Sequence, residues 1–250
     1  MGEFASGIGL FFRGVGFWAR RPKLMAIGAV PALITTVLYG IALVWLFSSV
    51  DDFAVRLTPF AESWAEPWQT IIRVAVAGAF LVGGFAAMVF TFAAVTLTIA
   101  APFIDNIQER VDRELGGVDP IDEGFWPSVR RGIGDGVRLF GMGLFAAVIV
   151  FVCGLLPLVG SLIGWLLGAY FAGRAFAVDL TGTPGDARGI PLTVRQQLLS
   201  SNRAKSLGFG VAVYLSFLIP LGAVVGTPAA AVGGTLLLRE LRGEPTEARR

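Results

Sequence analysis

The residues best suited to chemistry are cations. Arg20, Arg21 and Lys23 flank Pro22 and Leu24 where a long apolar run begins. Arginine forks and the open N–H groups of a helix start both favour tetrahedral oxyanions, so Arg20, Arg21, Pro22, Lys23 and Leu24 form a candidate anion-binding element. Composition alone reads the same cluster more readily as a topology signal or a phospholipid headgroup contact. Asp105 and Glu109 share a helical face beyond Pro102, a spacing that suits an acid and a base. No nucleophile or metal-ligand set accompanies them, so a structural role is expected, either capping a helix or pairing with Arg174 or Arg203. Hydroxyls at Thr35, Thr36, Thr91, Thr96 and Thr98 lie inside apolar runs, where a solute would meet them. The chain has no histidine and one cysteine, Cys153, which excludes intramolecular disulfides, Cys/His zinc sites and histidine catalysis. No metal or cofactor is expected, and the shortage of catalytic groups argues against an enzyme.

These groups must be positioned by unusually apolar elements. The 250 residues are 55% hydrophobic with a mean hydropathy of +0.72. Four runs, 24–50, 74–101, 139–173 and 207–238, contain no Asp, Glu, Lys or Arg. About 20 apolar residues cross the hydrocarbon core as a helix, and runs without alternating polarity select helices over a barrel. The expected class is an all-α integral membrane protein. Charge-free spans also argue against a buried carboxylate relay for proton coupling. Net charge is only +2, and the basic residues lie along span edges or among acids, which argues against nucleic-acid binding.

The first two runs read as two long transmembrane helices. The third and fourth are interrupted by Leu156-Pro157-Leu158-Val159-Gly160 and by Ile219-Pro220-Leu221-Gly222, with Pro228 following. Basic residues flank both ends of each run, so each reads as a Pro/Gly-interrupted helical hairpin. Residues 206–219 reach only about 20 Å, which suits a hemi-penetrating hairpin; lengths alone leave a pair of full spans with a tight turn equally acceptable. Phe4, Ile8, Phe11, Phe12, Val15 and Trp18 recur at helical spacing and predict an N-terminal helix lying in the membrane interface, the alternative being a helix packed on the bundle. Residues 105–115 are expected to continue helically out of the second span until Gly116-Gly117, and 119–136 and 181–191 to be polar links. Residues 1–242 then form one membrane domain and 243–250 a disordered tail. The placement of Lys and Arg predicts cytoplasmic N- and C-termini in a bacterial inner membrane.

The motifs carry a resemblance. Ala101-Pro102-Phe103-Ile104-Asp105, followed by Glu109, Arg110 and Val111, resembles the Ala-Pro-Phe…Asp…Glu-x-Val signature of the CysZ sulfate permeases, which share the etoposide-induced-protein domain. The stretch 202–210, containing Arg203, Gly208 and Gly210, then Pro220 and the segment from Pro228 to Thr235, is similar to that family's C-terminal hairpin. The resemblance implies two long transmembrane helices, two hemi-penetrating hairpins, oligomerisation, and uptake of sulfate or a related oxyanion for cysteine synthesis. In that family a Pro-Gly-Leu-Arg element opens the first long helix and holds the anion. Pro22 and Leu24 match it, whereas Lys23 and Met25 stand at its glycine and arginine, so Arg20, Arg21 or Lys23 would have to supply the charge. These departures keep open a rival of another class, a non-conducting membrane scaffold or assembly factor with the same fold.

Overall fold

The computed structural model describes residues 2–117, 125–154, 160–219 and 222–247. The described residues are all-helical, with ten α-helices and one 3-10 turn: α1 (Gly2–Ala19), α2 (Pro22–Ser48), α3 (Val50–Leu57), the turn Pro59–Ala61, α4 (Glu66–Glu114), α5 (Phe125–Gly154), α6 (Gly160–Leu180), α7 (Gly182–Asp186), α8 (Leu192–Ser201), α9 (Arg203–Phe217) and α10 (Gly222–Leu241). They divide into two compact units, Ala29–Phe103 on one hand and Met1–Gly28 with Ile104–Arg250 on the other.

In the first of these units, α2 and α4 meet along an antiparallel seam. Leu46 covers Gly84 and Tyr39 Oη lies 3.1 Å from Thr91 Oγ1, and beyond the end of α2 Phe53 of α3 stacks on Phe80 of α4 at 4.1 Å. Most large apolar side chains point outward, Phe90 being 84% exposed and Val82 72%. Outward-facing apolar surface of this length is the mark of lipid contact, and the protein is an integral membrane protein. Helix α4 runs unbroken through Pro102 for 49 residues, about 74 Å, far beyond a bilayer core. Its end was legible: Gly116 adopts φ +76° and the Gly117 N–H bonds the Asp112 carbonyl at 2.7 Å, a left-handed cap that glycine adopts without a Cβ penalty.

In the other unit, α10 is the core element. Residues from Ala229 to Val232 and from Leu236 to Leu238 are almost wholly buried, packed with Leu10, Ile107, Val111, Phe209 and Val213. Helix α9 lies between α1 and α6 at distances only glycine permits: a Cβ on Gly208 would strike the Phe4 carbonyl, and one on Gly210 the Gly173 carbonyl. The pairs α5–α6 and α9–α10 are antiparallel hairpins, Gly164 lying by Gly154 and Gly226 by Ser216. The hairpin tips at Pro157 and Pro220 fall outside the described residues.

Four expectations are corrected. Among the described residues three helices, not two, are long and apolar enough to cross a membrane, because the first hairpin limb supplies the 25 residues Arg130–Gly154. Its helix begins at Phe125, inside the stretch expected to be a polar link, so Gly132, Gly134 and Gly136 are helical despite a propensity cost of about 1 kcal/mol each. Helix α1 packs on α9 and α10 as in the alternative reading: Gly7, Leu10, Phe11 and Gly14 are buried and Phe12 is exposed. The expected tail is docked as far as Thr246: Glu244 is drawn in by arginines, and Thr246 accepts from Arg13 at 3.0 Å.

Candidate functional site

The turn between α1 and α2 is fixed locally. The Arg21 carbonyl accepts from the N–H groups of Leu24 and Met25 at 3.0 and 3.1 Å, and Trp18 Nε1 donates to the Leu24 carbonyl at 3.1 Å. Pro22 fits the first position of α2, where an N–H has no partner to lose. This geometry alters the expected anion cradle. Pro22 has no N–H, Leu24 and Met25 have spent theirs, and only the Lys23 amide remains open. Leu24 itself is 2% exposed and serves the core.

Around this turn lies an open recess of about 420 Å³ lined by Arg20, Arg21, Pro22, Lys23 and Leu24 together with Arg110, Arg113 and Glu114 of α4. All five expected residues therefore line one recess, and Arg110 and Arg113, expected only as part of a helix leaving the second span, line it too. Five cationic side chains face one carboxylate, a field that concentrates anions. The cations have different roles. Arg21 is tied down: its Nε donates to Glu114 Oε2 at 2.7 Å, its Nη1 to the Phe17 carbonyl at 3.3 Å, and its guanidinium lies 3.4 Å from the Phe17 ring centroid. Arg110 Nε donates to Asn106 Oδ1 at 2.6 Å, and Arg113 approaches Glu109 at 3.9 Å. The Arg20 and Lys23 side chains are exposed and make no hydrogen bond or ion pair among the described residues, so their heads are free for a ligand.

The motif residues serve structure. Pro102 and Phe103 lie within continuous α4. Asp105 does not pair with Arg174 or Arg203; it accepts from Thr183 Oγ1 at 2.6 Å, and Arg203 Nε donates to the Ser200 carbonyl at 3.1 Å. Gly208 and Gly210 permit the helix crossings, Pro228 packs beside Gly28, and Pro220 lies outside the described residues. Of the threonines, Thr36, Thr91 and Thr98 return their hydroxyls to carbonyls four residues back, while Thr35 Oγ1 and Thr96 Oγ1 are buried without partners. The α2–α4 register, Tyr39 by Thr91 and Leu46 by Gly84, places these two at the same level of the seam.

Sequence reading missed the strongest electrostatic feature, on the opposite face of α4. Asp112 accepts from Arg188 Nη2 and Nη1 at 2.8 and 3.0 Å and from Arg239 Nη1 at 2.6 Å. Arg188 also donates to Glu244, at 2.6 Å from Nη2, and to the Pro184 carbonyl at 2.8 Å; Arg239 reaches the Leu115 and Pro245 carbonyls, each at 2.7 Å. Burial alone would lower the Arg188 pKa, but the hydrogen bonds to Glu244 and Asp112 hold it above its ordinary value. For Glu244 burial acts upward, and the bonds from Arg188 and Arg242 override it to keep the carboxyl below its ordinary range. With the cations' donors so engaged, this cluster locks α4, the 181–191 segment, α10 and the tail; it is not a ligand site. Gln108, one turn before Asp112, continues the lock with a 2.5 Å bond from Nε2 to the Leu180 carbonyl. The available signal was a polar pair spaced four apart on the stripe Ile107, Val111, Leu115.

A family model described as "Sulfate transporter CysZ/Etoposide-induced protein 2.4" matches residues 10–228, which include the basic recess, the α4 motif and most of both hairpins. The chain belongs to the Sulfate transporter CysZ/Etoposide-induced protein 2.4 family.

Proposed function

We propose that the protein is an inner-membrane permease for sulfate or a related oxyanion, supplying sulfur assimilation and cysteine synthesis, and that it is not an enzyme. The observation that carries this reading is the basic recess at the start of α2, five cations against one carboxylate, in a chain whose family description names a sulfate transporter. Arg20 and Lys23 meet the anion because their heads are uncommitted, and Arg110 and Arg113 add to the field. Arg21 holds the α1–α2 turn against Glu114 and positions its neighbours. The Lys23 amide contributes one N–H at the positive end of α2. Thr35 and Thr96 offer unpartnered hydroxyls on the α2–α4 seam, where an anion stripped of water gains from each donor it meets.

In this reading the basic ends and both termini are cytoplasmic, copies associate in the membrane, and the second hairpin enters part-way, its α9 limb of 15 residues reaching about 22 Å. The test is sulfate-dependent growth of bacterial cells stripped of their own sulfate uptake. The wild-type chain should restore growth, selenate should compete more strongly than phosphate, and Arg20→Gln/Lys23→Gln should remove the rescue while the protein remains in the membrane. A membrane-inserted wild-type chain that rescues nothing and co-purifies with a stoichiometric partner would instead identify the scaffold.

A further inference from the structure

A second recess, of about 80 Å³, opens at the first turn of α9. Its polar lining is Arg174 of α6, Gln196 and Ser200 of α8, and Arg203 and Ser206 of α9, and no carboxylate borders it. Ser206 is 5% exposed and its Oγ has no hydrogen-bond partner. A helical serine ordinarily returns its hydroxyl to a carbonyl three or four residues back, as Ser216 does to Val213 at 2.7 Å. Ser206 keeps its donor open at the positive end of the α9 dipole. Arg174 is exposed and uncommitted among the described residues, and Arg203 uses only its Nε, on the Ser200 carbonyl. The recess, at about 80 Å³, has room for a tetrahedral oxyanion.

The recess adjoins an apolar groove. Arg174, Val178 and Gln196 line both, and the groove, about 420 Å³ between α5 and α6, is walled by Leu139, Met142, Gly143, Ala146, Phe171 and Phe176, with Asp179 its one acidic neighbour. A tetrahedral oxyanion site beside a chain-sized apolar groove matches one class of molecule. We propose that this is a specific site for an anionic phospholipid: the headgroup phosphate sits against the Arg174 and Arg203 guanidinium groups and accepts from Ser206 Oγ, and an acyl chain lies between α5 and α6. Basic pockets beside lipid-facing helices recruit anionic headgroups by this combination of charge and desolvation. The proposal does not rest on oxyanion uptake, because its residues are separate from those of the Arg20–Lys23 recess.

The test is native mass spectrometry of the full-length, delipidated protein titrated with phosphatidylglycerol, phosphatidylcholine or inorganic phosphate. The wild type should prefer phosphatidylglycerol over phosphatidylcholine by about 25-fold, two arginines each contributing about a factor of five. Arg174→Gln/Arg203→Gln should erase that preference, and Ser206→Ala should weaken it. Gly143→Leu, at a position where an added Cβ meets no atom within 4 Å, should fill the groove and weaken the lipid without lowering the melting temperature. Arg20→Gln/Lys23→Gln should bind the lipid as the wild type does. Equal affinity of the wild type for the two lipids, or unchanged phosphatidylglycerol affinity in both Ser206→Ala and Gly143→Leu, overturns the proposal. Inorganic phosphate that binds the wild type at least as tightly as phosphatidylglycerol overturns it in favour of a free-anion site.

Discussion

Replacing Asp112 by asparagine tests the lock beneath the motif helix with almost no change of shape. The carboxylate takes three charged hydrogen bonds from Arg188 and Arg239, whose side chains are only 3% and 1% exposed. An asparagine keeps one carbonyl oxygen, and its NH2 group then faces guanidinium N–H groups, donor against donor. With the amide oxygen in place of Oδ1, which accepts from both arginines, the bond from Arg188 Nη1 to Oδ2 is lost at about 1.5–3 kcal/mol, the other two lose their charge assistance, and the two buried cations lose the counter-charge of Asp112. The expected cost is about 3–5 kcal/mol, the usual penalty for breaking a buried ion pair from one side. For a chain of this size that lowers the melting temperature by about 6–20 °C. The Arg21–Glu114 pair is equally short at 2.7 Å, but its side chains are 32% and 43% exposed, so Glu114→Gln should cost under about 1 kcal/mol. Thermal unfolding in detergent, followed by tryptophan fluorescence, separates the two. If Asp112→Asn melts within about 2 °C of the wild type, or if Glu114→Gln costs as much, the reasoning from burial is refuted.

Other expectations follow from the same geometry. Glu244 has a folded pKa held below its ordinary 4.5, so its contribution to stability is complete above pH 4.5 and is lost as the pH falls below that value toward its folded pKa. Glu244→Gln should therefore destabilise at pH 7 and flatten the acid limb of a stability profile measured from pH 7 down to 3. Gly208→Ala drives a Cβ into the Phe4 carbonyl and should destabilise by about 1–3 kcal/mol, whereas Gly16→Ala, where a Cβ meets nothing within 4 Å, should stabilise α1 by up to about 1 kcal/mol in the same melting assay. Thr35→Val and Thr96→Val each remove a buried hydroxyl that has no partner, so neither should lower stability. Both should slow oxyanion flux if those hydroxyls line its path, and unchanged flux would remove them from the mechanism.

What the sequence made legible was local. The apolar runs, the passage of α4 through Pro102, its stop at Gly116 and the gathering of Arg20, Arg21 and Lys23 all follow from periodicity, charge and turn chemistry within a few residues. The hidden parts are long-range or made by backbone. Asp112 finds Arg188 and Arg239 at separations of 76 and 127 residues, and no local pattern encodes such a meeting. The buried face of α1 was misread because hydrophobic periodicity weights Phe12 and ignores Gly7 and Gly14, whose contacts are with the backbone of α9 and α10. The tail looked disordered by composition, yet Glu244 is held by three arginines, two of them in α10 or just beyond it. At the recess, the cations were legible, but the loss of the Leu24 and Met25 amides to the Arg21 carbonyl was not, because it depends on the conformation of one residue.

The central claim is that free cations at the start of α2 admit an oxyanion. Radiolabelled sulfate flux into liposomes holding the purified protein tests it most directly, with Arg20→Gln/Lys23→Gln and empty liposomes measured alongside. The account predicts saturable wild-type flux that the double variant loses although its melting temperature is unchanged. Wild-type flux equal to that of empty liposomes, or equal flux through the double variant, would contradict it.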